Sequence, residues 1–293
     1  MANTRDIRRR IKSIKNIGKV TRAMEAVSAS KMRRAQDATL RSRAYAARAA
    51  EVLAHLRAQR GPGAQMHPLL AAHEEGKPAV VLVTPDRGLT GGLVLNIIRY
   101  AVQAAEKEYG KDLAWIAVGK KGRDFLTRTG ADLRASFTAI PDAPSALEIT
   151  PVARLVRDGF AKREFRAVHL VYADFVTVTK QRPTFNRLLP VLVPEDVPVM
   201  KADFDFEPSP EAVLDEVLPR LVEMQIYQAV LESQASEHAA RMVAMRNATD
   251  AARDLVNELT LNLNKARQAD ITSEILDIAG GAEALRRAMA KTS

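Results

Sequence analysis

Apolar residues recur at helical steps early in the chain: Ile7, Ile11, Ile14, Ile17, Val20, Met24 and Val27, then Val52, Leu53 and Leu56. Residues 1–60 hold one glycine, Gly18, and no proline, and alanine and arginine, both good helix formers, fill much of the rest. Breakers arrive together at Gly61, Pro62 and Gly63. The pattern predicts one helix of about 50 residues, about 75 Å long at the usual rise per residue.

A second run, residues 220–279, contains neither glycine nor proline and predicts a helix ending before Gly280. Its seam follows 4,3 spacing from Leu214 through Val217, Leu221, Met224, Gln228, Leu231, Ala235, His238, Met242, Met245, Thr249, Ala252, Val256, Leu259 and Leu263 to Ala266. That is about seven heptads, enough to define a coiled coil. Buried large apolar residues contribute roughly 1.5 kcal/mol or more each, on the order of 15 kcal/mol along this seam. Exposed ion pairs contribute only about 0.3–0.5 kcal/mol each, so the seam decides the structure and needs a partner helix. The first helix is the available partner, in an antiparallel pair with a left-handed supercoil. Pro219 predicts a kink or a late start for the second helix.

The middle of the chain has a different period. Residues 79–84 (AVVLVT), 113–118 (LAWIAV) and 167–172 (AVHLVY) read as short apolar strands. Helical stretches occupy 93–108, the residues after 119–122, and 145–160, while 175–180 and 185–193 alternate like the arms of a hairpin. Strand–helix alternation predicts a small doubly wound, Rossmann-like α/β unit with a parallel sheet. The fold class is therefore α/β: a long antiparallel two-helix coiled coil formed by both termini, with a small doubly wound domain inserted. Residues 1–60 and 209–293 make the helix pair, 76–205 the insert, and 200–213 (with Pro208 and Pro210) the link into the second helix.

Charge sharpens this picture. The net charge is +9, and residues 1–60 alone hold 16 basic and 4 acidic residues. A negatively charged partner should face that segment: nucleic acid, anionic lipid or the acidic loops of another protein. The absence of cysteine excludes disulfides, zinc–thiolate sites and thiol catalysis. No apolar run is long enough to cross a bilayer, and the N-terminus lacks the apolar core of a secretory signal, so an unexported chain is expected.

Catalytic chemistry is sparse. The loop TPDRGLTGG lies between a strand and a helix, where a phosphate could meet backbone N–H groups, but Gly88, Gly91 and Gly92 fit neither phosphate-binding fingerprint. Lys120 and Lys121 in VGKKGRD read as solvated turn residues. The histidines at 55, 67, 73, 169 and 238 have no ligand partner at helical spacing; His238 falls on the seam as a register-fixing residue, and His169 reads as a satisfied core or edge residue. Three readings compete: a coiled-coil scaffold inserted into a protein partner, a nucleic-acid binder, and a membrane-surface helix. Against the second, the apolar stripe interleaves with the basic residues and Tyr45 is the only aromatic in the segment. Against the third, no bulky aromatic lies on the apolar face.

The first helix carries IRRRIKSIKNIGKVTRAMEAVSASKMRRAQ and the last carries QASEHAARMVAMRNATDAARDLVNELTLNLNKARQADITSEILDIAGGAEAL. With TPDRGLTGGL between them, the chain resembles, over essentially its whole length, the gamma subunit of the F-type ATP synthases. The resemblance implies a non-catalytic rotor without cofactor or metal, one copy per complex. Its partners would be the alpha–beta hexamer, the epsilon subunit and the c-ring, at the cytoplasmic face of the plasma membrane. Proton flow would turn the ring and shaft, and the asymmetric shaft would drive the three beta sites through their states in sequence. By the same resemblance Met24, Lys31, Arg33, Arg34, Arg241, Arg267, Gln268, Thr272 and Asp277 face the beta lever and catch loop, and Phe206 and Glu207 face the c-ring. The family commonly has Met where Ala26 stands and often Cys where Thr90 stands. The tail adds Arg286, Arg287 and Lys291 where the family is largely apolar, and the cysteine insert of chloroplast members is missing.

Overall fold

The computed structural model describes residues 4–58, 67–192, 207 and 209–292, with side chains described outside 43–58, 283–285 and 287–292. Ten elements follow in order: α1 (Thr4–Ala58), β1 (Lys77–Val83), α2 (Leu93–Tyr109), β2 (Ala114–Val118), α3 (Lys120–Thr129), β3 (Asp132–Phe137), α4 (Ala146–Ala161), β4 (Phe165–Thr177), β5 (Lys180–Leu189) and α5 (Pro210–Thr292). They form two compact units, residues 27–244 and residues 1–26 with 245–293.

In the unit 27–244 the sheet order is β3-β2-β1-β4-β5. The first four strands are parallel and β5 runs antiparallel to β4. β1 and β2 are apolar at nearly every position because helices cover both faces. One face packs on α2 and α3 around Ile97, Ala101, Trp115 and Leu126. The other packs on α4 and on α5 around Ile149, Phe160, Leu218 and Ile226. A capping box starts α4, with the Ser145 N–H donating to Glu148 at 2.7 Å. Gly119 joins β2 to α3 at φ 106°, and a Cβ there would lie 1.8 Å from the Thr84 carbonyl, so only glycine fits.

Several expectations change here. The seam positions of α5 from Leu214 onward were to meet a partner helix, yet Leu214 and Leu221, together with Leu218, Val222 and Ile226 off the seam, belong to the sheet core. The sheet offers a wider apolar face than one helix can, so this half of α5 buries more than a heptad stripe. Strand 167–172 and the first hairpin arm are one strand, β4, because nothing between Tyr172 and Phe175 breaks extended backbone. β3 was missed: its six residues, DLRASF, form an edge strand with alternating exposure and no apolar run. Pro219 neither delays nor divides α5, which begins nine residues earlier at Pro210 and continues through it. Ser209 caps that start, its Oγ accepting the Ala212 N–H at 3.2 Å. At the other end α5 does not stop before Gly280 but runs to Thr292.

In the second unit the two chain ends pair. The hydroxyls of Thr21 and Thr249 lie 2.7 Å apart, and Arg246 Nε donates to Glu25 Oε1 at 2.9 Å. A Cβ on Gly18 would sit 3.5 Å from that of Ala252. Partner numbers fall on one helix as they rise on the other, so the pair is antiparallel. Along α5 the seam holds as expected: Met245, Thr249, Ala252, Val256, Leu259, Leu263 and Ala266 are buried or half-buried. On α1 the matching seam is Ile7, Ile11, Ile14, Gly18 and Thr21. Ile17 and Val20 were expected inside and are 53% and 58% exposed. Small residues at Gly18 and Thr21 carry the 4,3 repeat through the contact, which turns the larger neighbours outward. Val27, in the other unit, is likewise exposed while its neighbour Ser28 is buried.

Candidate functional site

Seven described residues of α1 and α5 anticipated as partner contacts divide by environment. Arg33 and Arg34 are exposed on α1, and Met24 is half-buried beside the seam. Arg267, Gln268, Thr272 and Asp277 are exposed on α5, where Thr272 Oγ1 donates to the Gln268 carbonyl at 2.8 Å. Ala266 is the last residue of α5 with any burial that the antiparallel register places against α1, which begins at Thr4. From 267 to 282 every side chain is exposed. Ile271, Ile275 and Ile278 form an i, i+4, i+7 stripe there, at 48%, 60% and 73% exposure. Glu207 is exposed, and Phe206 lies outside the described residues.

Lys31 and Arg241 are placed differently. Lys31 Nζ donates to Asp142 Oδ2 at 2.6 Å. Arg241 is buried; its Nε and Nη2 reach the Gly88 carbonyl at 3.3 and 3.2 Å, and Nη2 also meets Glu237 Oε1 at 2.5 Å. Its Nη1 lies 3.4 Å from His238 Nδ1, and His238 Nε2 lies 3.6 Å from Asp142 Oδ1. Burial pushes the His238 pKa down to about 4, so the ring is neutral. Burial raises Glu237, against the pull of Arg241. Asp142 is held low because, although burial opposes it, the Lys31 hydrogen bond and charge prevail. The sequence singled out Lys31, Gly88, His238 and Arg241 for separate reasons and passed over Asp142 and Glu237; it did not show the cluster, whose members come from four segments far apart in the chain.

A cavity of about 340 Å³ opens beyond the carboxyl ends of β1 and β2, bordered by Thr84, Asp86, Gly119, Asp142, Gln234 and Glu237. Doubly wound sheets bind ligands in such crevices. Here Asp86 turns its carboxylate to the Lys120 N–H at 2.7 Å and the Ala139 N–H at 2.8 Å, filling the helix N-terminus that a phosphate would use. His169 is not fully satisfied as expected: its Nδ1 has no partner, its ring stacks on Phe185 at 4.5 Å, and burial lowers its pKa to about 4. Among the described residues no His, Asp and Glu cluster could hold a metal ion, and no helix is long and apolar enough to cross a membrane.

A doubly wound α/β unit, and an antiparallel pair of chain-end helices in which α5 runs on past Ala266, define the class of paired-helix proteins with an α/β insert. Residues 3–285 match the sequence pattern of a family described as ATP synthase. The ATP synthase gamma chain of Herpetosiphon aurantiacus is 48% identical over 98% of this chain and 100% of its own. That of Roseiflexus castenholzii is 49% identical over 97% and 99%. The chain belongs to the family of ATP synthase gamma chains, subunits of a membrane-associated complex. Solved structures share the fold. One is from the central stalk and c-ring of Tetrahymena thermophila mitochondrial ATP synthase, with TM-score 0.59 and 23% identity over 78% of this chain and 99% of that one. Another is from the OSCP/F1/c-ring part of the Euglena gracilis enzyme, with TM-score 0.66 and 19% identity over 96% and 94%.

Proposed function

We propose that this chain is the central-stalk rotor of a proton-translocating F-type ATP synthase, peripheral to the cytoplasmic face of the plasma membrane. It makes no ATP itself; it couples rotation of a c-ring to sequential changes in three catalytic beta subunits, with epsilon at its foot. The carrying observation is the stretch of α5 from 267 to 282, exposed on every side and apolar along Ile271, Ile275 and Ile278. A lone helix with such a stripe is not left in water; a sleeve of surrounding subunits covers it. Arg267, Gln268, Thr272 and Asp277 present polar groups on the same stretch for the beta catch loop, and Arg33 and Arg34 offer screened, sliding attraction to acidic lever segments. An asymmetric shaft shifts the populations of the three beta states only through its different affinity for each.

Assembly with alpha, beta and epsilon tests the reading. The expected product is a 3:3:1:1 particle with ATPase activity, in which a bead fixed to this chain rotates when ATP is added. A hexamer that hydrolyses ATP while the bead stays still overturns it. The nucleic-acid reading finds no support among these relatives.

A further inference from the structure

We infer that the proline-bounded loop after β3, residues 138–144, is the torque-bearing collar between the α/β domain and the two helices, and that Lys31–Asp142 is its directional hold on α1. The inference rests on the rotor reading and names the positioning residues through which it would work.

The two helices are attached to the sheet very differently. α5 is fused to it through Leu214, Leu218, Leu221, Val222 and Ile226 in a large apolar core. No described residue of α1 belongs to that core. Within residues 27–244, the described buried side chains of α1 are Ser28, Met32, Ala35, Thr39 and Ser42, of which only Met32 is large. Met32 meets Ala239 and Met242, with Phe175 and Val178 of the β4–β5 hairpin at the fringe. Such apolar contact is non-directional and resists sliding poorly.

The loop supplies direction. Its sequence TAIPDAP has prolines at 141 and 144, which restrict the backbone. α5 grips it at two points. Tyr227 Oη donates to the Pro144 carbonyl at 3.1 Å and Gln234 Nε2 donates to the Pro141 carbonyl at 2.7 Å, while the neutral His238 ring lies beside Asp142, its Nε2 3.6 Å from Oδ1 and without a hydrogen bond. Asp86 holds its start through the Ala139 N–H. The second oxygen of Asp142 takes Lys31, so one carboxylate stands between both helices. Asp142 is 58% exposed and Lys31 27%, and exposed pairs of this kind add little to stability. What the pair adds is geometry: a short charge-assisted bond of 2.6 Å from a loop with two prolines to α1.

The test uses the assembled, membrane-embedded synthase in vesicles. Asp142→Asn should leave ATP hydrolysis close to the parent and lower protons pumped per ATP several-fold, and Lys31→Met should lower that ratio as much. The charge-exchanged pair Lys31→Asp with Asp142→Lys should recover most of that ratio, and Lys31→Arg should keep it. A structural role alone would reduce the amount of assembled complex and leave the ratio untouched. Unchanged pumping per ATP in both single variants, or an exchanged pair no better than either single, overturns the collar. Failure of the parent to pump at all counts against the rotor reading instead. Should either single variant fail to assemble, Lys31→Arg under an opposing proton gradient decides, with early stalling against the collar and parent-like pumping for it.

Discussion

Two halves of one helix obey the same sequence rule and meet different fates. Up to Ala244, α5 is buried on most of its circumference, with Leu218, Val222 and Ile226 fully enclosed. From Met245 on, cover follows the 4,3 seam, with Ala248 beside it, and from 267 to 282 every side chain is exposed. The heptad spacing continues across both halves, so it records where apolar residues stand and not what covers them. In the first half a sheet is the cover, in the second a single helix.

The largest effect that could break this comparison is a cavity. Leu218→Ala removes a side chain that is 0% exposed. Incompletely relaxed cores lose about 2–5 kcal/mol on such a change. Leu263→Ala, on a half-buried seam position, should cost about 1 kcal/mol or less. Denaturant unfolding of the full chain reads both, and equal losses would mean that the two halves are covered alike.

Acid should separate the units next. All five histidines lie between residues 55 and 238, so the pair of chain ends has none. His169 and His238 fall from 6.5 to about 4 on folding. Between those values the unfolded chain binds more protons, so stability drops as the pH is lowered through this window. The loss is on the order of 3 kcal/mol per ring. Glu237 works the other way: its raised pKa stabilises the protonated folded form and is lost as pH rises above 4.5. Amide exchange from pH 7 to 4 should therefore show residues 27–244 opening before the helix pair, and His169→Phe should flatten the response. Simultaneous opening of both units would mean that the two buried rings do not drive the acid response.

A smaller effect probes the seam. Thr21→Val and Thr249→Val each remove one hydroxyl of a 2.7 Å pair, and the hydroxyl that is left keeps its bond to the Gly18 or the Met245 carbonyl of its own helix. Each should cost about 1 kcal/mol, and the double variant less than the sum, because the contact between the hydroxyls is lost only once. Additive losses would show that the hydroxyls do not act as a pair.

The sequence made the helix pair legible in its outer part because a repeat needs no knowledge of distant residues. Met245, Thr249, Ala252, Val256 and Leu259 could be placed by counting alone. Counting failed at Ile17 and Val20, where hydrophobicity pointed one way and the register of Gly18 and Thr21 another. It failed at Leu218, because a helix that packs on a sheet buries positions outside the seam. β1 and β2 announced themselves as apolar runs; β3, at an edge, had only DLRASF to offer. The contact of Lys31 with Asp142 spans 111 positions and carries no local signature. Such pairs belong to tertiary structure alone, which is why Lys31 and Arg241 read as surface residues in the sequence and are engaged inside the chain.

The smallest effect on the chain itself is the one that most sharpens the contrast between a covered and an uncovered helix. Ile271, Ile275 and Ile278 touch solvent over much of their surface, so replacing all three by Ser removes little buried area. The unfolding midpoint of the full chain should stay within about 0.5 kcal/mol of the parent, as for other exposed positions. If the rotor reading holds, the same variant should assemble poorly with alpha and beta, since a sleeve that covers this stripe loses roughly 1.5–3 kcal/mol per large side chain. The two measurements together separate a helix end that is apolar for its own fold from one that is apolar for a partner. A large loss in the isolated chain with normal assembly would reverse the assignment and give α5 a contact within its own chain beyond Ala266.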